Sequence, residues 1–204
     1  MKYDPKQEKQ LMTEIWSLNI KDDPVNFVKF AFPWGQKDTP LEHFTGPRKW
    51  QEKILREISV HIQRNQVIDL PEMFRMSVAS GRGIGKSALV AWLILWMLST
   101  RLGATIIVTA NTEQQLRSRT WAELGKWMTL SINSHWFMKT ATTIKPAPWF
   151  QEALERDLKI DTGYYYAQAQ LWSEENPDAF AGIHSSYGVC LIMDEASGIP
   201  SPIY

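Results

Sequence analysis

Three glycines at alternate positions, Gly81, Gly83 and Gly85, followed at once by Lys86 and Ser87, constrain this chain more than any other stretch. The run Ser80-Gly81-Arg82-Gly83-Ile84-Gly85-Lys86-Ser87 separates an apolar segment, 74–79, from a second one that continues to Leu98. A chain passing from strand to glycine-rich turn to helix can wrap an anion in backbone N–H groups, since glycine permits close approach and positive φ. The helix beginning near Lys86 directs the partial positive charge of its N-terminus at the same anion. Lys86 is placed to neutralise β- and γ-phosphate oxygens, and the Ser87 hydroxyl to ligate Mg²⁺. Residues 80–87 are therefore expected to bind ATP. The competing account is a loop that only joins strand to helix, and the apolar runs on both sides favour the phosphate site.

A second segment fits the first. Val189-Cys190-Leu191-Ile192-Met193 is an apolar strand that delivers Asp194 and Glu195 to its carboxyl end, the edge at which open α/β sheets bind ligands. Asp194 is expected to hold Mg²⁺, directly or through water, and Glu195 to polarise the attacking water as general base. Standing alone, the pair would read as a solvated turn. Upstream, Gln51 follows Arg48 and Trp50 on an expected helix. Its amide both donates and accepts, so it suits adenine, and an exposed helical Gln is an equal alternative. Arg82, inside the loop, is a candidate for the γ-phosphate or a solvated side chain.

Composition narrows the partners. Lys+Arg and Asp+Glu number 22 each in 204 residues, so any contact with nucleic acid must be local rather than a global basic field. The segment 117–119 (Arg-Ser-Arg) and the pair Arg48-Lys49 are candidates, with a solvated helix face the simpler account of each. The single Cys190 excludes a disulfide within one chain and reads as a structural thiol. The four His lack ligand spacing, so no zinc site is expected. The N-terminus carries no apolar signal segment, and the run 88–98 is too short to span a bilayer, so a cytoplasmic location without membrane contact is expected.

Along the chain, helices are expected over 7–20, from Asp22-Pro24 to about Phe32, over 47–63, 86–98 and 113–130. Strands are expected over 74–79, 105–110 and 189–193, with a strand or hairpin within 159–172. Ile106, Ile107 and Val108 mark a strand buried on both faces. A loop falls at 35–47, and Pro146 and Pro148 punctuate a stretch without a clear period. The expected fold is α/β: a P-loop NTPase core with a parallel, doubly wound sheet over 47–204, preceded by a helical and loop segment over 1–46.

In the order and type of these pieces the chain resembles the ATPase domain of the large terminase subunit, the motor that packages DNA into viral capsids. The loop 81–87 with Arg82 inside it, the acidic strand 190–195, Gln51 upstream, the segment 109–114 (Thr-Ala-Asn-Thr-Glu-Gln) and the segment 179–184 (Ala-Phe-Ala-Gly-Ile-His) carry the resemblance. The family's usual loop has Gly where Ser80 stands. The resemblance implies ATP hydrolysis with Mg²⁺, catalytic roles for Arg82, Lys86 and Glu195, and nucleotide contacts from Gln51 and 80–87. It also implies translocation of double-stranded DNA by a ring of subunits on a portal protein, with a small terminase subunit as partner. No nuclease activity is expected of 204 residues that stop soon after Glu195, and the last core strands are expected to be missing. A helicase-like ATPase and a module that binds ATP without turnover are the alternatives.

Overall fold

The computed structural model describes residues 4–79, 81, 83–171 and 185–194. The chain opens with α1 (Pro5–Ile15) and the short α2 (Leu18–Lys21), followed by α3 (Pro24–Ala31). Asp4 and Asp23 start α1 and α3 in the same way. Asp4 accepts from the Lys6 N–H and Asp23 from the Val25 and Asn26 N–H groups, and each is followed by Pro, whose missing N–H costs nothing there. Then come α4 (Lys49–Asn65) and α5 (Lys86–Thr100). Strand β1 (Thr105–Ala110) leads to α6 (Glu113–Gln115), a π-helical turn (Leu116–Trp121) and α7 (Ala122–Leu130). Strands β2 (Phe137–Lys139) and β3 (Thr143–Pro146), helix α8 (Pro148–Asp157), β4 (Tyr166–Ala169) and β5 (Val189–Asp194) complete it.

Among the described residues five strands form one sheet in the order β2-β3-β4-β1-β5. Strand β1 pairs in parallel with β4 and β5, whereas β2–β3 and β3–β4 are antiparallel. The architecture is therefore α/β with a mixed sheet, which corrects the parallel, doubly wound P-loop core expected from the sequence. Two local causes produce the difference. Between β2 and β3 the chain reverses at Thr140, whose N–H donates to the Thr143 carbonyl at 2.7 Å, and the hairpin brings antiparallel pairing with it. The second cause is that 74–79, expected as the strand before the glycine loop, forms no strand. Only Phe74, Met76 and Val78 of that run are strongly apolar, and Phe74 and Val78 remain partly exposed. Its entry is tied to α4 instead: Asn65 donates to the Glu72 carbonyl and accepts from the Glu72 N–H, and the Phe74 ring lies 4.9 Å from His61.

The strand at 105–110 is buried at every position, as its Ile-Ile-Val centre requires. Helix α5 presents apolar residues all round and is buried accordingly, including Leu89, Trp92, Ile94, Leu95 and Leu98. Among the described residues no helix is long and apolar enough to cross a membrane.

One hydrophobic core gathers Ile15 and Phe27 from the N-terminal helices, Leu55 of α4, Leu95 of α5, Ile106 of β1 and Phe150 of α8. Residues on both sides of the expected boundary at 46/47 thus share it. Polar pins reinforce the contact. Trp16 Nε1 donates to the Ser99 carbonyl and Trp96 Nε1 to the Lys21 carbonyl, both at 3.0 Å. On the far side Glu8 accepts from Trp136 Nε1 at 2.9 Å and lies 2.6 Å from His135 Nε2.

Candidate nucleotide site

The glycine loop ends at Gly85, which takes φ +95° and caps α5, while Gly83 takes φ +73°. An L-residue would be strained at either position. At Gly81 and Gly83 an added Cβ would meet nothing within 4 Å among the described residues. At Gly85 a Cβ would come within 2.9 Å of Gln51 Nε2. The reason is a strap from the first turn of α4. Gln51, 3% exposed, donates from Nε2 to the Gly85 carbonyl at 2.8 Å, and Arg48 Nη1 donates to the Ile84 carbonyl at 3.0 Å. Gln51 Oε1 in turn accepts from the Arg48 N–H at 2.9 Å.

The strap sets the polarity of two peptide units. A trans peptide points its N–H opposite to its C=O. With the Ile84 and Gly85 carbonyls held toward α4, the N–H groups of Gly85 and Lys86 face away from it. Those two donors stand at the N-terminus of a 15-residue helix, where a partial positive charge of about half a unit accumulates. Lys86 and Ser87 form its first turn and are half-buried.

Topology carries this helix end to the strand edge where Asp194 lies. The hydroxyl of Tyr165, just before β4, donates to the Leu98 carbonyl, so the C-terminal end of α5 sits at the amino edge of the sheet. Fifteen helical residues rise about 22 Å and six strand residues about 20 Å, so the two elements are matched in length. Helix α5 also touches the π-helical turn that follows the carboxyl end of β1. Its glycine end accordingly reaches toward the carboxyl edge, where Ala110 stands opposite Asp194 in parallel register.

Asp194 is half-buried, and its Oδ2 accepts from Thr120 Oγ1 at 2.6 Å. Thr120 belongs to the π-helical turn and is 1% exposed. Near the opposite end of β5 from Asp194, desolvation pushes the Cys190 thiol up to about 11, in keeping with a structural role.

Of the sequence-derived site residues, the structure describes Gln51, Gly81, Gly83, Ile84, Gly85, Lys86, Ser87 and Asp194. Ser80, Arg82, Glu195 and the segment 179–184 lie outside the described residues. Gln51 is not the exposed helical side chain of one sequence account: it is buried and bound to the loop. Two contacts escaped sequence reading. The contact of Arg48 with the loop spans 36 positions and that of Thr120 with Asp194 spans 74, and no local pattern announces either. Arg117, a candidate for DNA, pairs with Glu113 at 2.8 Å.

The donor set suits Mg²⁺ on a bound nucleotide: one hydroxyl and one carboxylate, both hard oxygen ligands, leaving the remaining positions to phosphate and water. A site of that kind does not require three protein carboxylates or imidazoles together, and among the described residues no such group occurs.

Compared with models of known protein families, with curated proteins and with solved structures, the chain matches none.

Proposed function

We propose that this chain binds ATP with Mg²⁺ on the loop 80–87 and hydrolyses it. The observation that carries the reading is the pair of peptide N–H groups at Gly85 and Lys86, turned outward at the N-terminus of α5 by Arg48 and Gln51. That is an anion cradle whose polarity is fixed before any ligand arrives. In this reading Lys86 binds β- and γ-phosphate oxygens, and Ser87 and Asp194 hold Mg²⁺. The ion neutralises phosphate charge when bound. Glu195 accepts a proton from the attacking water as its oxygen bonds to the γ-phosphorus and the bond to the β–γ bridging oxygen breaks. Arg82 offsets charge on the transferring group. Through the resemblance of the loop and the acidic strand, the work attached to turnover is the packaging of double-stranded DNA into a capsid.

A second reading, binding without turnover, is favoured by one observation: residues 71–79 approach the loop outside the sheet, so no strand anchors its first half. Measuring ATP hydrolysis and binding of the fluorescent analogue mant-ATP separates the two. Turnover with Mg²⁺ that disappears in Lys86→Ala and Glu195→Gln supports the first reading. Lys86-dependent binding without turnover supports the second. Binding of neither kind sinks both.

A further inference from the structure

Hydroxyls on the helices of this chain follow a common habit. Thr13, Ser59, Thr100, Ser118 and Thr129 each donate to the backbone carbonyl four residues earlier. This is the local bond that Ser and Thr ordinarily make in a helix. Thr120 departs from it. Its hydroxyl, on a side chain 1% exposed, reaches a carboxylate 74 positions away and donates to Asp194 Oδ2 at 2.6 Å. The backbone that carries it is the π-helical turn, a rare wide turn inserted between α6 and α7. The turn follows the carboxyl end of β1, against which Asp194 is registered, and it packs on α5.

We infer that Thr120 is a positioning residue for the Mg²⁺ ligand: it fixes Asp194 by occupying Oδ2, so that the carboxylate meets the ion in one orientation. The inference rests on the nucleotide-site reading above and deepens it. A carboxylate at the end of a strand is otherwise free to rotate about χ1 and χ2. A ligand that must be ordered at the moment of binding gives weaker coordination than one ordered beforehand, and removal of such outer partners typically weakens metal binding about 10–100-fold. The hydroxyl takes one oxygen and leaves the other to the ion.

The test uses the full chain with mant-ATP as probe. Mg²⁺ is titrated into a fixed mixture of protein and mant-ATP, starting in EDTA, and the Mg²⁺ midpoint of the fluorescence change is read. Thr120→Val keeps the branched shape and removes the donor, and it is expected to raise the midpoint roughly tenfold. Thr120→Ser keeps the donor and returns the midpoint to that of the parent. Affinity for mant-ATP in EDTA is the same in all three. On an Asp194→Ala background Thr120→Val adds nothing, because the residue acts through Asp194. If circular dichroism shows Thr120→Val unfolded, Thr120→Cys, whose thiol is a weak donor, is read in the same titration. An unchanged midpoint in a folded variant overturns the inference, as does a shift that persists undiminished without Asp194. Failure of the underlying reading looks different: the parent itself shows no Mg²⁺-dependent signal and no sensitivity to Lys86→Ala, and the inference falls with it.

Discussion

The amide of Gln51 holds the carbonyl of Gly85 at 2.8 Å and thereby ties the first turn of α4 to the residue that caps α5. The bond explains why Gly85 must lack a side chain: at φ +95° with Gln51 Nε2 2.9 Å from the would-be Cβ, both backbone and space exclude one. Gly85→Ala is expected to cost about 1–2 kcal/mol from the left-handed backbone alone. Contact with Gln51 adds to that and loosens the cradle. Thermal melts and mant-ATP binding read the two effects. A variant that melts and binds like the parent would show that the cap is not under this constraint.

The same bond distinguishes two roles for Gln51 itself. A residue that reads adenine sets the preference of ATP over GTP. A residue that supports the loop affects every nucleoside triphosphate alike. Because Nε2 and Oε1 are both engaged within the protein, we expect Gln51→Ala to weaken ATP and GTP binding together, by roughly tenfold for the loss of one buried hydrogen bond and its partner's desolvation. Competition titrations with the two nucleotides decide it. A selective loss of ATP would return Gln51 to the base.

Phe32 sits within an aromatic cage and is 4% exposed. Its ring lies 5.1 Å from Trp127, 6.4 Å from Trp34, and 6.5 Å from both Trp92 and Phe27, with edge contacts to Trp127, Trp34 and Phe27. The cage joins the segment after α3 to α5 and α7. Phe32→Ala should cost about 3–5 kcal/mol, the range for emptying a large buried aromatic site. Urea unfolding measures it, and the near-UV dichroism of the surrounding Trp residues should weaken in parallel. A loss below about 1 kcal/mol, far short of the usual range for such sites, would mean that the cage closes over the gap.

The thiol of Cys190 gives a pH-dependent handle. Desolvation raises it from an ordinary value near 9 to about 11, so the folded chain keeps the neutral thiol where an unfolded one ionises. Its contribution to stability is complete below about 9 and is lost as pH rises through about 11. Alkylation by iodoacetamide in native buffer at pH 8 should run on the order of a hundredfold slower than in urea, following the thiolate fraction. Equal rates would show an accessible, unperturbed thiol.

What could be read from the sequence follows from how local its causes are. The strand at 105–110 was legible because a run of β-branched residues has little choice but to be buried. Helices α3 and α5 were legible through Asp23-Pro24 and through Gly85 ahead of an unbroken apolar run. The loop was legible as a turn because Gly83 and Gly85 adopt the positive φ that glycine tolerates. The strand expected at 74–79 failed because a short apolar run ahead of a glycine loop shows that a segment is able to pair, not that a neighbour takes it. Strands β2 and β3 span only Phe137–Lys139 and Thr143–Pro146, too little for a periodic signal. The π-helical turn lies inside an expected helix, 113–130, whose ends were correct. Its extra residue per turn has no marker in side-chain type, so the bond from Thr120 to Asp194 could not be foreseen.

Asp22 and Arg101 form the ion pair that fastens the N-terminal helices to the far end of α5. Arg101 Nη2 donates to Asp22 Oδ1 at 2.9 Å, Gln66 Nε2 donates to Oδ2 at 3.0 Å, and the guanidinium stands 5.0 Å from the centre of the Trp96 ring. The Arg101 side chain is 22% exposed and that of Asp22 11%. Burial lowers the pKa of Arg101 and the Asp22 charge opposes that shift, so removing Asp22 leaves a desolvated cation uncompensated. Breaking a fully buried pair costs about 3–5 kcal/mol, and the water still reaching Arg101 brings the expectation for Asp22→Ala to about 2 kcal/mol. Replacing both partners behaves differently, since an apolar pair of similar volume carries no desolvation penalty. In Asp22→Ala combined with Arg101→Met, much of the loss should therefore return. Urea midpoints of the three variants make the comparison. A double variant no more stable than Asp22→Ala would locate the loss in the geometry of the Asp22–Gln66 contact instead of in the stranded charge.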